Sequence, residues 1–295
     1  MRRGKKLHRL IAAAAAILAV GGALVGCSSS NDKEITIGWL PWDEDVAATH
    51  LWKHLLEEKG YTVKLVQADA GPLFAGLAKG GSNDPDLFLD GWLPDTHGKY
   101  WDQYGDKLED VSTWYDNASL QLAVPNFVSD VNSLADLAGK ADKFDKQVVG
   151  IEPGAGEMTT VKEKVMPAYN LTNDYKLTES STPAMLTTLQ KSIDSQKPVV
   201  VTLWKPHWAY TKFPIKPLAD PQGAFGQAEK IHVLANKKWA GDNSEVTGWL
   251  KNFKMTDEQL GTLENEIQNA GSGNEDKAID AWLQANPDFA AKMTG

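Results

Sequence analysis

The chain has 295 residues, a formal charge of −9 and 11 tryptophans. The acidic balance argues against nucleic acid as a partner, and against adsorption to an anionic membrane through basic patches. A single cysteine, Cys27, excludes a disulfide framework and a thiolate metal cluster.

Arg2, Arg3, Lys5, Lys6 and Arg9 precede an uncharged run from Leu10 to Val25, the pattern of a signal peptide. That run is short of the roughly 20 residues a spanning helix needs. It ends in Leu24-Val25-Gly26-Cys27, which resembles the bacterial lipobox. Residues 1–26 are therefore expected to be a lipoprotein signal peptide, with Cys27 as the lipidated first residue of the mature chain. Two or more acyl chains anchor stably where one does so marginally. Residues 27–33 carry Ser28 to Lys33, small and polar, and read as a flexible tether. Without the five basic residues of the leader the formal charge moves from −9 to −14. The remaining length is enough for two modest lobes.

Ile35 to Trp39 is a β-branched and aromatic run, so a strand. Asp43 to Lys59 has helical spacing, with Val46, Leu51, Leu55 and Leu56 on one face and Gly60 at its end. Thr62 to Val66 is a second strand, Pro72 to Lys79 a helix, Asp86 to Leu89 a third strand. This alternation predicts an α/β fold with a largely parallel sheet. The pattern repeats: Leu122 to Val124, a strand at Val148 to Ile151, helices at Met158 to Val165 and Pro183 to Ser195, and a strand at Pro198 to Leu203. Ile231 to Leu234 returns toward the first sheet. Thr256 to Asn269 and Glu275 to Gln284 close the chain as amphipathic helices, and Thr256 with Gln259 resembles a capping box. Chain crossings near Ala118 to Pro125 and near Lys216 to Leu234 predict two lobes, 34–120 plus 233–295 and 121–232. A hinge and a ligand cleft would lie between them.

Four segments each follow a predicted strand: Gly38 to Asp43, Asp90 to His97, Gly150 to Met158, and Thr202 to Trp208. Ligands of α/β folds gather at the carboxyl ends of strands. Three of the segments put a tryptophan beside a proline there. An indole offers a cation apolar contact and a negative π-face together, about 0.5–2 kcal/mol per ring. This suits a trimethylammonium group, which has no hydrogen-bond donor. Any one of these tryptophans alone is as readily a core or rim aromatic. Gly150 to Gly156 stands between a strand and a helix, where free N–H groups suit a carboxylate; an ordinary glycine turn fits as well. Glu157 and Met158 follow, so the spacing is not that of a P-loop. His97 is placed either to donate to the same carboxylate or to sit in a surface turn.

Together the runs DGWLPDTH, GIEPGAGEM and LWKPHW resemble the substrate-binding proteins of glycine betaine and proline betaine ABC importers, the OpuAC/ProX-like family. The similarity covers nearly all of the mature chain. The resemblance implies a two-lobe periplasmic-binding-protein fold of type II-like architecture. It implies a tryptophan prism at Trp42, Trp92 and Trp204 around the ammonium group. The ligand carboxylate would take the His97 side chain and the backbone amides of Gly156 and Glu157, although the charge of Glu157 is unfavourable there unless it points away. It further implies an extracytoplasmic monomer handing its ligand to a permease for osmoprotectant uptake; the lipobox-like Cys27 would hold it on the cell membrane and favours a single-membrane bacterium over one with two. No cofactor or metal is implied.

Choline and carnitine are alternative ligands of the same fold; the glycine turn and His97 favour a carboxylated ligand, while Asp43 and Asp90 beside the prism keep choline open. His50 and His54 lie four apart on a predicted helix with Glu57 and Glu58 following, a spacing that can hold a metal or simply a solvated face. His207 is expected to position its loop, and Tyr115 is a candidate fourth cage ring. Trp39, Trp101, Trp114, Trp239, Trp249 and Trp282 default to packing. No Gly-x-Ser-x-Gly elbow, His-Glu-x-x-His or nucleophilic cysteine points to catalysis.

Overall fold

The computed structural model describes residues 33–295. The expected signal peptide at 1–26, Cys27 and the expected tether, apart from Lys33, lie outside the described residues.

The elements in chain order are β1 (Glu34–Trp39), α1 (Asp43–Glu58), β2 (Thr62–Gln67), α2 (Ala70–Lys79), β3 (Leu87–Leu93), α3 (Gly98–Tyr104) and β4 (Leu108–Pro125). Then come β5 (Gln147–Val149), α4 (Gly156–Thr160), a π-helical turn (Val161–Val165), α5 (Met166–Ala168), β6 (Lys176–Thr178) and α6 (Thr182–Ser195). Next are β7 (Val201–Lys205), α7 (Ala209–Lys212), β8 (Ile215–Pro217) and β9 (Glu229–Asn236). The last are α8 (Lys237–Asp242), α9 (Ser244–Leu250), α10 (Asp257–Ala270), α11 (Glu275–Ala285) and α12 (Pro287–Thr294).

The strands run in the order β2-β1-β3-β9-β4-β7-β5-β6, with β8 also on β4. β1 pairs in parallel with β2 and β3, while β9 is antiparallel to both β3 and β4. The first sheet is therefore mixed, not largely parallel. The return of β9 between β3 and β4 supplies the antiparallel part.

β4 is the element that joins the two sheets. Its first part, Leu108 to Ala118, pairs with β9. From Ser119 to Ala123 it pairs with β7, and from Ala123 to Pro125 with β8. The second sheet is completed by β5, parallel to β6 and β7. One apolar core surrounds the first sheet and extends to the facing surface of the second. A separate core, including Leu122, Val124, Val148, Val161 and Leu218, fills the far side of the second sheet.

Most tryptophans outside the site build these cores. Trp114 is fully buried, gives its indole N–H to the Leu89 carbonyl at 2.6 Å and stacks on Phe253 at 4.9 Å. Trp282 donates to Thr262 Oγ1 at 2.9 Å and meets Phe289 edge-on. Trp39, Trp101, Trp239 and Trp249 pack half-buried on the core rim. Such rings contribute large apolar area and need one partner for the N–H. The capping box at Thr256 and Gln259 is present: each side chain bonds the other's backbone N–H.

Candidate functional site

Trp42, Trp92, Trp204, His97, Gly156 and Glu157 all line one small cavity. Glu44, Thr96, Leu120, Ile151 and Ala155 complete its wall. The elements that bring them together are far apart in the chain. Trp42 is the extended residue just before α1, Trp92 lies in β3, His97 precedes α3, Gly156 and Glu157 open α4, and Trp204 lies in β7.

Two of the three indoles are not loop residues. β3 runs on through Asp90-Gly91-Trp92-Leu93, and β7 through Trp204-Lys205. The ladder with β9 carries β3 past its apolar run to Trp92 and Leu93. Backbone pairing with β4 at Leu120 fixes Trp204 in the same way.

Each indole is held by a carboxylate at its edge. Trp92 Nε1 donates to Asp90 Oδ1 at 2.9 Å, Trp204 Nε1 to Glu44 Oε2 at 2.7 Å, and Trp42 Nε1 to Glu152 Oε2 at 3.4 Å. Glu152 is itself fixed by the Thr182 N–H at 2.9 Å and hydroxyl at 3.0 Å. An indole has a single donor, so bonding at the edge fixes the ring and leaves its faces for packing or ligand. Next to them Trp208 Nε1 donates to Asp43 Oδ1 at 2.7 Å, as does Gln268 Nε2 at 2.6 Å.

His97 is wholly buried and its ring lies stacked 5.6 Å from that of Trp42. The backbone N–H of Trp92 donates to its Nδ1 at 2.9 Å. The ring proton therefore sits on Nε2, which has no partner among the described residues. Burial, with help from the charge of Lys99, holds the imidazole down at about 3 from its usual 6.5. His97 is thus a neutral donor on the cavity wall. Glu229 supports its turn by accepting the Asp95 and Thr96 N–H groups at 2.8 Å each and the Thr96 hydroxyl. The first-turn N–H groups of a helix have no intrahelical acceptor, which is the position of Gly156 and Glu157 in α4. Gly156 faces Thr96 so closely that a Cβ there would strike the Thr96 carbonyl oxygen.

The cavity holds two acids. Glu44 and Glu157 are both buried, and burial pushes each well above the ordinary carboxyl range. Among the described residues no side chain bonds either oxygen of Glu157, and the backbone N–H groups of Gln121 and Leu203 are what face it. Asp43 and Asp90 do not line the cavity; they are engaged by Trp208 and Trp92. Glu44 is the acid that sequence reasoning missed. Its signal was its place two residues after Trp42, but a first-turn acid ordinarily reads as a helix-dipole partner. Glu152 and Glu229 were also missed, because what they do depends on Trp42, Thr182 and Thr96, remote in sequence.

Tyr115 stands apart from the cavity, its hydroxyl donating to Asp257 Oδ1 at 2.9 Å, so it is not a cage ring here. His207 accepts the Ala209 N–H at 3.0 Å on Nδ1 and brings Nε2 within 3.1 Å of Asp43, which does position its loop. His50 and His54 pair instead with Asp276 and Asp280 of α11, each at 3.1 Å. Among the described residues no cluster of three His, Cys, Asp or Glu is placed to hold a metal, and no helix is long and apolar enough to cross a membrane.

The chain is similar to known proteins in sequence and in fold. The family model for the substrate binding domain of an ABC-type glycine betaine transport system matches residues 33–285. The glycine betaine/carnitine transport binding protein GbuC of Listeria monocytogenes is 38% identical over 154 residues, 52% of this chain and 50% of that protein. The match thus spans about half the length of that curated relative. Lactococcal OpuAC, crystallised closed with glycine betaine, superposes with a TM-score of 0.81 at 30% identity, covering 89% of this chain and 100% of that one. The glycine/betaine/L-proline-binding protein ProX of Borrelia burgdorferi gives a TM-score of 0.83 at 27% identity, covering 89% and 97%. The two joined sheets are therefore the two-lobe α/β architecture of the periplasmic binding proteins. By sequence and by fold, the chain belongs to the family of substrate-binding domains of ABC-type glycine betaine transport systems.

Proposed function

We propose that this chain is an extracytoplasmic receptor that binds glycine betaine, or proline betaine, and delivers it to an ABC permease for osmoprotectant uptake. The observation that carries the reading is the meeting of three edge-anchored indoles with one neutral imidazole donor and two helix-start amides around a single small cavity. In this reading Trp42, Trp92 and Trp204 surround the trimethylammonium group by cation–π attraction. His97 Nε2 and the amides of Gly156 and Glu157 take the carboxylate. The work is binding and hand-over, with no chemical turnover.

The lobes of this reading are 34–120 plus 233–295 and 121–232, hinged where the chain crosses between sheets. Trp42 and Trp92 then belong to one lobe and Trp204 to the other, so closing the cleft completes the cage. Cys27 carries the lipid anchor that keeps a monomeric receptor on the cell membrane of a single-membrane bacterium.

Titration calorimetry tests the reading. Glycine betaine is expected to bind, and Trp204→Ala to abolish binding while the thermal unfolding transition remains cooperative. Heat with choline or carnitine but none with glycine betaine would transfer the assignment to those ligands. Unchanged affinity in Trp204→Ala would remove the cage.

A further inference from the structure

A receptor for a zwitterion has no evident need of an acid in its cavity, yet Glu157 is there, 2% exposed, with no side-chain partner for either carboxyl oxygen and only the backbone N–H groups of Gln121 and Leu203 turned toward it. Among the described residues no lysine or arginine lines the same space. A lone ion in such a place is costly, and the group keeps its proton instead. Resting on the proposed ligand site, we propose that Glu157 is a specificity-determining residue that matches its protonation to the charge of the solute. It stays a neutral acid beside a zwitterion and ionises beside a quaternary ammonium cation that has no carboxylate.

The charge balance follows from what each solute brings. A zwitterion carries its own anion into the cavity. That anion opposes a second negative charge, so Glu157 retains its proton. A cation alone brings one uncompensated positive charge into a space of low effective dielectric, where its attraction for a carboxylate is strong. The Glu157 O–H bond then breaks, the electron pair stays on the carboxylate and one proton leaves to solvent for each cation bound.

The groups facing Glu157 do not replace it in this role. From α1, Glu44 also lines the cavity, but its Oε2 is taken by the Trp204 N–H; Asp43 and Asp45 beside it are bonded to Trp208 and to the Leu40 N–H. Asp90 on β3 holds Trp92, and Glu264 on α10 lies outside the cavity wall. His97 is neutral across the working range because burial lowers it to about 3. On the α7 side the Tyr210 hydroxyl donates to Gln121 Oε1, Lys205 caps the Tyr210 ring at 5.2 Å and His207 sits against Asp43. Burial first, and then the charge of Glu44, push Glu157 well above the usual carboxylate range against the lowering effect of the Leu203 and Gln121 backbone N–H groups, in keeping with a proton available for exchange.

Calorimetry on the full mature domain tests this, with glycine betaine and choline as probes, between about pH 5 and about pH 9, the span in which a buried carboxyl titrates. Each titration is run in two buffers of different ionisation heat, which counts protons directly. Glycine betaine is expected to weaken as pH rises and choline to tighten, each by at most about tenfold per pH unit for one linked proton. Choline binding should release a proton that glycine betaine binding does not. Glu157→Gln should flatten both slopes. Equal slopes for the two ligands in the unaltered protein, or opposite slopes that persist in Glu157→Gln, would overturn the assignment. So would slopes lost in Glu44→Gln but kept in Glu157→Gln, and so would choline that binds at no pH. Glycine betaine that binds at no pH would instead overturn the ligand reading, and the choline slope with its loss in Glu157→Gln still decides the role of Glu157.

Discussion

The indole N–H of Trp204 on β7 donates to Glu44 Oε2 in the first turn of α1 at 2.7 Å, although the two residues are 160 positions apart. One wall of the cavity is thus oriented by a residue of helix α1, which packs against the other sheet. Glu44→Ala removes the acceptor and leaves the ring free to turn. A hydrogen bond to a charged or strongly polar group is worth about 1.5–3 kcal/mol, so glycine betaine affinity should fall roughly tenfold to a hundredfold by calorimetry. An unchanged affinity would mean that packing alone sets the ring.

Gly156 tests the approach of the two sheets. A methyl group at this position collides with the Thr96 carbonyl oxygen. Gly156 and Thr96 lie on different proposed lobes, so the clash exists only when the cleft is shut. Gly156→Ala is expected to leave the ligand-free melting temperature within a few degrees, equivalent to about 1 kcal/mol or less, and to abolish ligand-induced compaction in small-angle scattering. Normal compaction with ligand would show that the backbone adjusts.

His97→Phe keeps an aromatic ring beside Trp42 and removes the unpartnered Nε2 donor. Loss of a bond to a carboxylate should weaken glycine betaine by about tenfold to a hundredfold. The loss should be larger for glycine betaine than for choline, which has no carboxylate. Equal losses for both ligands, measured by competition, would assign His97 a packing role only.

Stability should fall toward alkaline pH. Burial pushes the Asp45 carboxyl from 3.8 up to about 8. The folded state therefore holds a proton that the unfolded chain releases, so this stabilisation is full below about pH 4 and is lost as pH rises through about 8. Glu44, Asp90, Glu157 and Glu264 are raised by burial in the same direction. His97 acts oppositely: its contribution is present above its usual 6.5 and lost as pH falls through about 3. The acids outnumber it, so the melting temperature by scanning calorimetry should drop between about pH 6 and about pH 9. A rise over that interval would contradict the burial of these carboxyls.

The segments that line the cavity were legible because each couples a strand signal to a proline and to Gly, Trp or both in a short run. The long strand β4 was not. Its register shifts between Asp110 and Ser112, Thr113 and Tyr115, and Tyr115 and Ala118 break the two-residue period, and its partner changes from β9 to β7. Only Leu122 to Val124, apolar throughout, showed as strand. The capping box at Thr256 is local and was read directly. The burial of Glu44 was hidden because Trp204 covers it from the far sheet, and that of Glu264 because an acid on an amphipathic helix ordinarily faces water.

A crystal structure with glycine betaine tests the central claim most directly. The cation–π account predicts the ammonium nitrogen within about 6 Å of the ring centroids of Trp42, Trp92 and Trp204, with the carboxylate on His97 Nε2 and the amides of Gly156 and Glu157. A ligand seated in the neighbouring groove lined by Trp39, Trp208 and Phe213, or bound with its carboxylate toward Glu44, would contradict it.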